Sequence, residues 1–187
     1  MAITSGVKDM QAVLNLVWTK LLPAMQPAPL AEAPQAHEKL RQKLATLVVP
    51  VVQQTASSPL ADRVSGKRYV FPANDRKIDA IALECGDGSD DAALIVQTEG
   101  VEQRIVCGGD RWVKGRLSLA PGLGREVAAC GAWTADDTFT AEVCYYETPH
   151  CLTARLKFSD DQLILDSEMN VSFGPTEQPQ LTGSLRP

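Results

Sequence analysis

Two hydrophobic periods divide the chain. Near its start Val7, Met10, Leu14, Val17, Trp18 and Leu21 recur at steps of three and four, tracing one apolar stripe of an amphipathic helix. Thr4 or Ser5 is placed to cap this helix, Asp9 falls in its first turn, and Pro23 marks its end. A second helix is predicted from Pro34, with Ala36, Leu40, Leu44 and Leu47 at its apolar positions and Pro50 as its stop. Between the two, MQPAPLAEAP reads as a proline-stiffened linker. Residues 51–64, rich in Gln, Ser, Thr and Ala, read as another.

From about Lys67 the period drops to two. Leu152, Ala154, Leu156 and Phe158 alternate with Cys151, Thr153, Arg155 and Lys157. Phe139, Ala141, Val143 and Tyr145 alternate with Thr138, Thr140, Glu142 and Cys144 before them. Leu163, Leu165, Met169, Val171 and Phe173 share a face after them. One buried face and one wet face mark an antiparallel sheet. Further strands are predicted at 67–72, 78–85, 91–98, 101–107, 125–134 and 181–185. Short turns at Glu99-Gly100, Ala135-Asp136-Asp137 and Ser159-Asp160-Asp161 suit hairpins. The fold class is therefore mainly β with N-terminal helices: an antiparallel up-and-down barrel of about eight strands, or a sandwich, preceded by two α-helices. The division follows the change of period, with residues 1–64 the helical segment and 65–187 the barrel.

Composition narrows the partners. With 44% hydrophobic and 22% charged residues the chain matches an ordinary globular protein, and a barrel of this length folds without disulfides or metal. Residues 1–64 carry six Lys/Arg against four Asp/Glu, and 65–187 carry twelve against nineteen, so the barrel is acidic. An acidic barrel with no basic stripe and 5% aromatics is a poor partner for nucleic acid or anionic membranes. The apolar stretch Leu44 to Val52, broken by Thr46 and Pro50, is far short of the ~20 residues of a membrane span. MAITSGVKDM has no basic region followed by an apolar core, so no secretory leader is read there.

The cysteines Cys85, Cys107, Cys130, Cys144 and Cys151 are odd in number, widely spaced and without C-x-x-C. That pattern argues against a disulfide framework or zinc site and for small buried side chains in strands, although one pair could be bridged. Unpaired thiols lean toward the cytoplasm, with the periplasm open if a larger parent carries a leader. No metal and no cofactor is expected.

Candidate chemistry is thin. Ser5-Gly6-Val7-Lys8 matches S-x-x-K at a helix start, the pattern that supplies nucleophile and activating lysine in penicillin-recognising serine hydrolases. The partner motifs are missing: no tyrosine is followed by x-Asn, and Leu181-Thr182-Gly183 lacks the Lys or His. The catalytic reading fails, and helix capping explains the motif. His37 reads as a surface side chain. His150 and Glu147 share a segment with Pro149, which favours a turn with Glu147 and Thr148 capping backbone groups. Asp87-Gly88-Ser89-Asp90-Asp91 lacks the spacing of a calcium loop. Gly108-Gly109-Asp110 and Pro121-Gly122-Leu123-Gly124 read as turns, since no helix follows to hold a phosphate. Trp112 and Trp133 read as barrel core or rim.

Four blocks nevertheless resemble a known family when taken in order. AITSGVKDMQAVLNLVW, VSGKRYVFPAND, CGAWTADDTFTAEVCYYETPH and MNVSFGPTEQPQLTG are similar to the C-terminal region of β-lactamase-related serine hydrolases, in which a penicillin-recognising catalytic domain precedes a lipocalin-like barrel. The resemblance implies that Ala2–Ser5 form the last strand of the catalytic sheet, that residues 7–24 are the helix packed over it, and that the second helix bridges to the barrel. It places the nucleophile, lysine, tyrosine and Lys/His-x-Gly strand upstream of Met1, so no catalytic residue carries over.

The expected function is thus a non-catalytic accessory domain that supports the hydrolase's stability, substrate access or oligomerisation. Its expected partner is the missing N-terminal catalytic domain, or a second copy through the first helix. The alternative is a lipocalin-like module holding a small ligand inside the barrel. By strand parity Trp133, Tyr145 and Met169 would line such a cavity, with Glu147 near one rim.

Overall fold

The computed structural model describes residues 6–29, 31–55, 58–86, 90–118, 124–159 and 161–186. They form two compact units, one of Met1–Gly6 and Val51–Pro187, the other of Val7–Pro50.

In the smaller unit α1 spans Met10–Leu16 and continues through a π-helical turn, Val17–Leu21, into a 3₁₀ turn, Leu22–Ala24. The cap is Asp9, whose carboxylate accepts from the Ala12 amide at 2.9 Å, so Asp9 stands just before the helix and not in its first turn. Thr4 and Ser5 lie outside the described residues. Helix α2, Pro34–Ala45, opens on its proline and ends five residues before Pro50. The Thr46 hydroxyl donates to the Gln42 and Lys43 carbonyls at 3.1 and 3.0 Å, and the apolar Leu47, Val48 and Val49 that follow are exposed. No residue of these helices is buried. Among the described residues no helix is long and apolar enough to cross a membrane.

The larger unit is a near-closed antiparallel barrel of ten strands: β1 (Arg68–Val70), β2 (Ile78–Cys85), β3 (Ala92–Thr98), β4 (Val101–Cys107), β5 (Val113–Ser118), β6 (Gly124–Ala135), β7 (Thr138–Cys144), β8 (Cys151–Ser159), β9 (Gln162–Met169) and β10 (Leu181–Leu185). They pair in the order β4-β3-β2-β1-β10-β9-β8-β7-β6-β5, so the last strand returns beside the first. The nine segments of alternating period, expected to make a barrel of about eight strands, account for all of these but β5, where Gly115 and the cations Lys114 and Arg116 dilute a short alternation. The β3–β4 hairpin turns at Glu99 and Gly100 with φ of 49° and 77°, two left-handed residues whose twist matches that of the flanking strands. Strands β4 and β5, at the two ends of the ladder, lie side by side. Just past β4 a parallel bridge joins Gly108 to Cys130 of β6, with Gly131 N–H donating to the Gly108 carbonyl at 3.0 Å.

The described residues of 51–64, a segment expected as linker, pack with the barrel. Val52 is buried against Cys130 and Ala132. Thr55 donates through its amide to the Trp133 carbonyl and through its hydroxyl to Thr134, and Ser58 donates to Asp136. A four-residue helix α3, Ala61–Val64, follows and buries Val64.

Alternation sends Tyr69, Leu83, Val143, Leu156, Phe158, Leu163 and Leu165 inward, all nearly inaccessible. The interior is filled unevenly. At the end carrying the β2–β3, β6–β7 and β8–β9 turns the aromatic rings meet. Trp133 lies 5.6 Å from Phe139 and 5.7 Å from Phe158, which lies 5.6 Å from Tyr69. Toward the other end most inward positions are Ile, Leu, Val and Ala, with a few polar side chains among them, and these leave space.

Candidate binding cavity

That space is a cavity of about 270 Å³ between the inner faces of β2–β5 and β7–β9. Ile81, Leu94, Ile105, Leu117 and Leu165 supply its apolar wall, and Thr98, Gln103, Tyr145 and Arg76 its polar lining. It sits just under the roughly 300–1,000 Å³ of drug-sized ligand pockets, which suits a small guest.

The charged group at its mouth is Arg76. The residue stands in the turn joining β1 to β2, and Asn74 braces that turn. The Asn74 side chain donates to the Pro72 and Ile78 carbonyls at 2.9 Å each and accepts from the Ile78 amide at 3.2 Å. Its carbonyl accepts from Lys77, which adopts φ 55°. Neighbouring carboxylates are engaged elsewhere: Glu99 pairs with Lys77 at 2.6 Å, and Asp79 accepts from the Gly100 amide at 2.7 Å. Arg76 Nη1 is buried and has no hydrogen-bond partner among the described residues. Burial alone lowers the pKa of this guanidinium, as expected for a cation that no carboxylate compensates. Buried donors without acceptors are rare because each costs about 1–3 kcal/mol.

Tyr145 follows β7 and lines the same cavity. Its amide donates to the His150 carbonyl at 3.0 Å, and its carbonyl accepts from both the amide and the hydroxyl of Thr148. Burial first, and the nearby Cys151 thiol second, raise its pKa, so it stays a neutral phenol able to donate.

The remaining cavity residues expected from parity stand elsewhere. Trp133 points inward but belongs to the aromatic end, where it packs on Phe139 and Phe158. Met169, at the end of β9, lines a separate surface recess with Pro149, His150 and Phe173. Glu147 is exposed in the turn after Tyr145. Parity fixes which face a side chain takes, not its depth along the barrel axis. Arg76 escaped sequence reading because Pro72–Lys77 has the composition of a solvated turn, yet it stands two residues before inward-facing Ile78, and that spacing was the available signal.

The other candidates are dispersed. His37 and His150 are exposed, and Thr148 caps its turn by donating to Tyr145 and accepting from the His150 amide. Trp112 packs with Val51, Val52 and Cys130. Ser5, Asp87–Ser89 and Pro121–Leu123 lie outside the described residues. Cys107 and Cys130 are buried, Cys85, Cys144 and Cys151 half-buried, and all five are free thiols within strands. Among the described residues no group of three or more His, Cys, Asp or Glu is arranged to hold a metal ion.

No protein-family model and no curated protein matches the chain. Among solved structures the chain is similar to a fatty acid-binding protein from brain tissue of Drosophila melanogaster, solved without citrate inside. That likeness has a TM-score of 0.47 and 12% sequence identity, over 65% of this chain and 99% of that one.

Proposed function

We propose that the barrel is a binding module for a small amphipathic molecule, its apolar body in the cavity and an anionic head, such as a carboxylate, on Arg76. The observation that carries this reading is the buried, unpartnered Nη1 of Arg76 at the mouth of an otherwise apolar cavity. A carboxylate accepts from a guanidinium through two parallel bonds, which gives both energy and orientation. Thr98, Gln103 and Tyr145 add polar groups around the same opening. The small volume favours a medium-chain ligand over a long one. Calorimetric titration with decanoate and decanol tests this. The acid binds tighter than the alcohol if Arg76 receives the head, and equal affinities, or no binding of either, would reject the reading.

A second reading concerns where such a module works, and the helices Met10–Ala24 and Pro34–Ala45 favour it. Their stripe residues Met10, Leu14, Trp18, Leu21, Leu40 and Leu44 are all exposed. Exposed apolar patches rimmed by polar residues mark interaction surfaces. Together with the resemblance of the four sequence blocks, this supports an accessory role beside the catalytic domain of a β-lactamase-related serine hydrolase, with no catalysis on this chain. A fluorophosphonate probe should leave the purified chain unlabelled, and co-expression with such a catalytic domain should yield a stable complex. Labelling of Ser5, or no complex, would remove it.

A further inference from the structure

Cys144 ends β7 and Cys151 begins β8, and the two are direct cross-strand partners. Tyr145 N–H donates to the His150 carbonyl, while Cys151 turns its own amide and carbonyl toward Asn170: its amide donates to the Asn170 side chain at 2.7 Å, and the Asn170 amide donates to its carbonyl at 2.9 Å. Cys144 and Cys151 therefore form a non-hydrogen-bonded pair, the kind whose Cα atoms approach to about 4.5 Å. That separation lies inside the range of roughly 4.4–6.8 Å over which a disulfide closes. The side chains already meet on the outer face of the barrel, with Sγ 2.6 Å from Sγ. No other cysteine pair is in cross-strand register among the described strands: Cys130 faces Glu142, Cys107 faces Ala92 and Cys85 faces Ala92.

We propose that Cys144 and Cys151 form a reversible disulfide, closed by exchange with a small-molecule disulfide such as oxidised glutathione, that clamps the turn 145–150 carrying Tyr145. One cysteine thiolate attacks a sulfur of the oxidant, whose S–S bond breaks and releases the first glutathione thiolate. The second cysteine thiolate then attacks the protein-bound sulfur and releases the second. Two protein thiols lose two electrons and two protons, and one glutathione disulfide becomes two thiols. Burial, and the Cys144 thiol beside it, raise the Cys151 pKa, so Cys151 rests as a thiol and closure is slow compared with that of an exposed, acidic pair. The turn is held by two backbone bonds and the Thr148 cap, and a covalent link at its base removes its open states. The proposal does not depend on what the cavity binds.

The test is incubation of the full chain with oxidised glutathione to completion, then denaturation, alkylation and peptide mapping. The expected result is the loss of two alkylatable thiols, both at Cys144 and Cys151, without any disulfide link between chains and reversed by dithiothreitol. Amides of 145–148 and 150 should then exchange about tenfold more slowly, the kinetic sign of suppressed local opening. Cys151→Ser should instead hold one glutathione on Cys144. Because the mapping uses the natural chain, it stands even if that variant folds poorly. A persistent glutathione adduct on the natural chain, a link between other cysteines or between chains, or unchanged exchange in the turn would overturn the proposal.

Discussion

Replacing Arg76 by Met separates binding from folding, because the two effects have opposite signs. Met keeps the length of the apolar stem and removes the guanidinium. In the unliganded barrel Nη1 is buried without an acceptor. Such a group costs about 1–3 kcal/mol, and since Arg76 is only half-buried the lower end applies. Arg76→Met should therefore stabilise the empty protein by about 1 kcal/mol, raising its melting temperature by roughly 3–4 °C. Affinity for decanoate should fall, since a hydrogen bond to a charged group contributes about 1.5–3 kcal/mol, equivalent to tenfold or a hundredfold in Kd. Affinity for decanol should hardly change. Differential scanning calorimetry and titration of the same preparation give both numbers. A variant that melts lower and keeps its preference for the acid would refute the reasoning, because Arg76 would then be a structural residue whose stem packing matters more than its charge.

Four further outcomes can be checked with simple variants and conditions. Ala154→Leu puts three more carbons into the cavity wall, so it should raise stability by up to about 2 kcal/mol and abolish decanoate binding, while a destabilised variant would show that the space is already filled. Gly131→Ala would place a methyl 2.7 Å from Cζ of Phe139, costing about 1–3 kcal/mol in urea unfolding, and an unchanged midpoint would mean that the ring yields freely. Burial first, and the Cys130 thiol second, push Cys107 up to about 12, so the stability it contributes is whole below about pH 9 and is lost as pH rises toward about 12. Urea midpoints should fall between about pH 8 and about pH 10.5, less so in Cys107→Ala, and flat midpoints would contradict this. The exposed stripe of Met10, Leu14, Trp18 and Leu21 should make the chain dimeric by light scattering and Trp18→Asp monomeric, and a natural chain that is already monomeric would reject the stripe as the contact.

Much of the barrel was legible because its strands obey a strict period. In β8, Ala154, Leu156 and Phe158 are buried and Arg155 and Lys157 exposed, as the alternation requires. The Glu99-Gly100 turn was readable for the same local reason: two left-handed residues are needed, and glycine supplies one without strain. What escaped was whatever breaks the period. Register shifts between Ile78 and Ala80 and between Trp133 and Ala135 change the phase within β2 and at the end of β6. The Gly108–Cys130 bridge, which ties the end of β4 to β6, is a contact between segments distant in sequence that no local pattern announces. The cavity was harder still. Tyr145 could be placed on the inner face, but whether space lay beside it depended on Trp133, Phe139, Phe158 and Tyr69 converging at the opposite end.

That convergence explains how one barrel can hold both a core and a cavity. Four large rings close the end where the β6–β7 and β8–β9 turns meet, and Val52, Thr55 and Ser58 fasten the preceding segment to β6. Changes there, such as Gly131→Ala, act on the interior packing that holds the fold. At the other end the apolar lining is aliphatic, Thr98 and Gln103 come from strands and Arg76 and Tyr145 from turns, and Arg76 is left with a buried N–H and no acceptor among the described residues. Mutational free energies add when sites are distant and share no partners. Changes at the aromatic end should therefore alter melting without altering the preference for an acid over an alcohol, while Arg76→Met removes that preference, and its rise in melting temperature should add to the fall caused by Gly131→Ala. If instead Gly131→Ala also removed the preference for the acid, or its effect on melting failed to add to that of Arg76→Met, the two ends would be one cooperative interior.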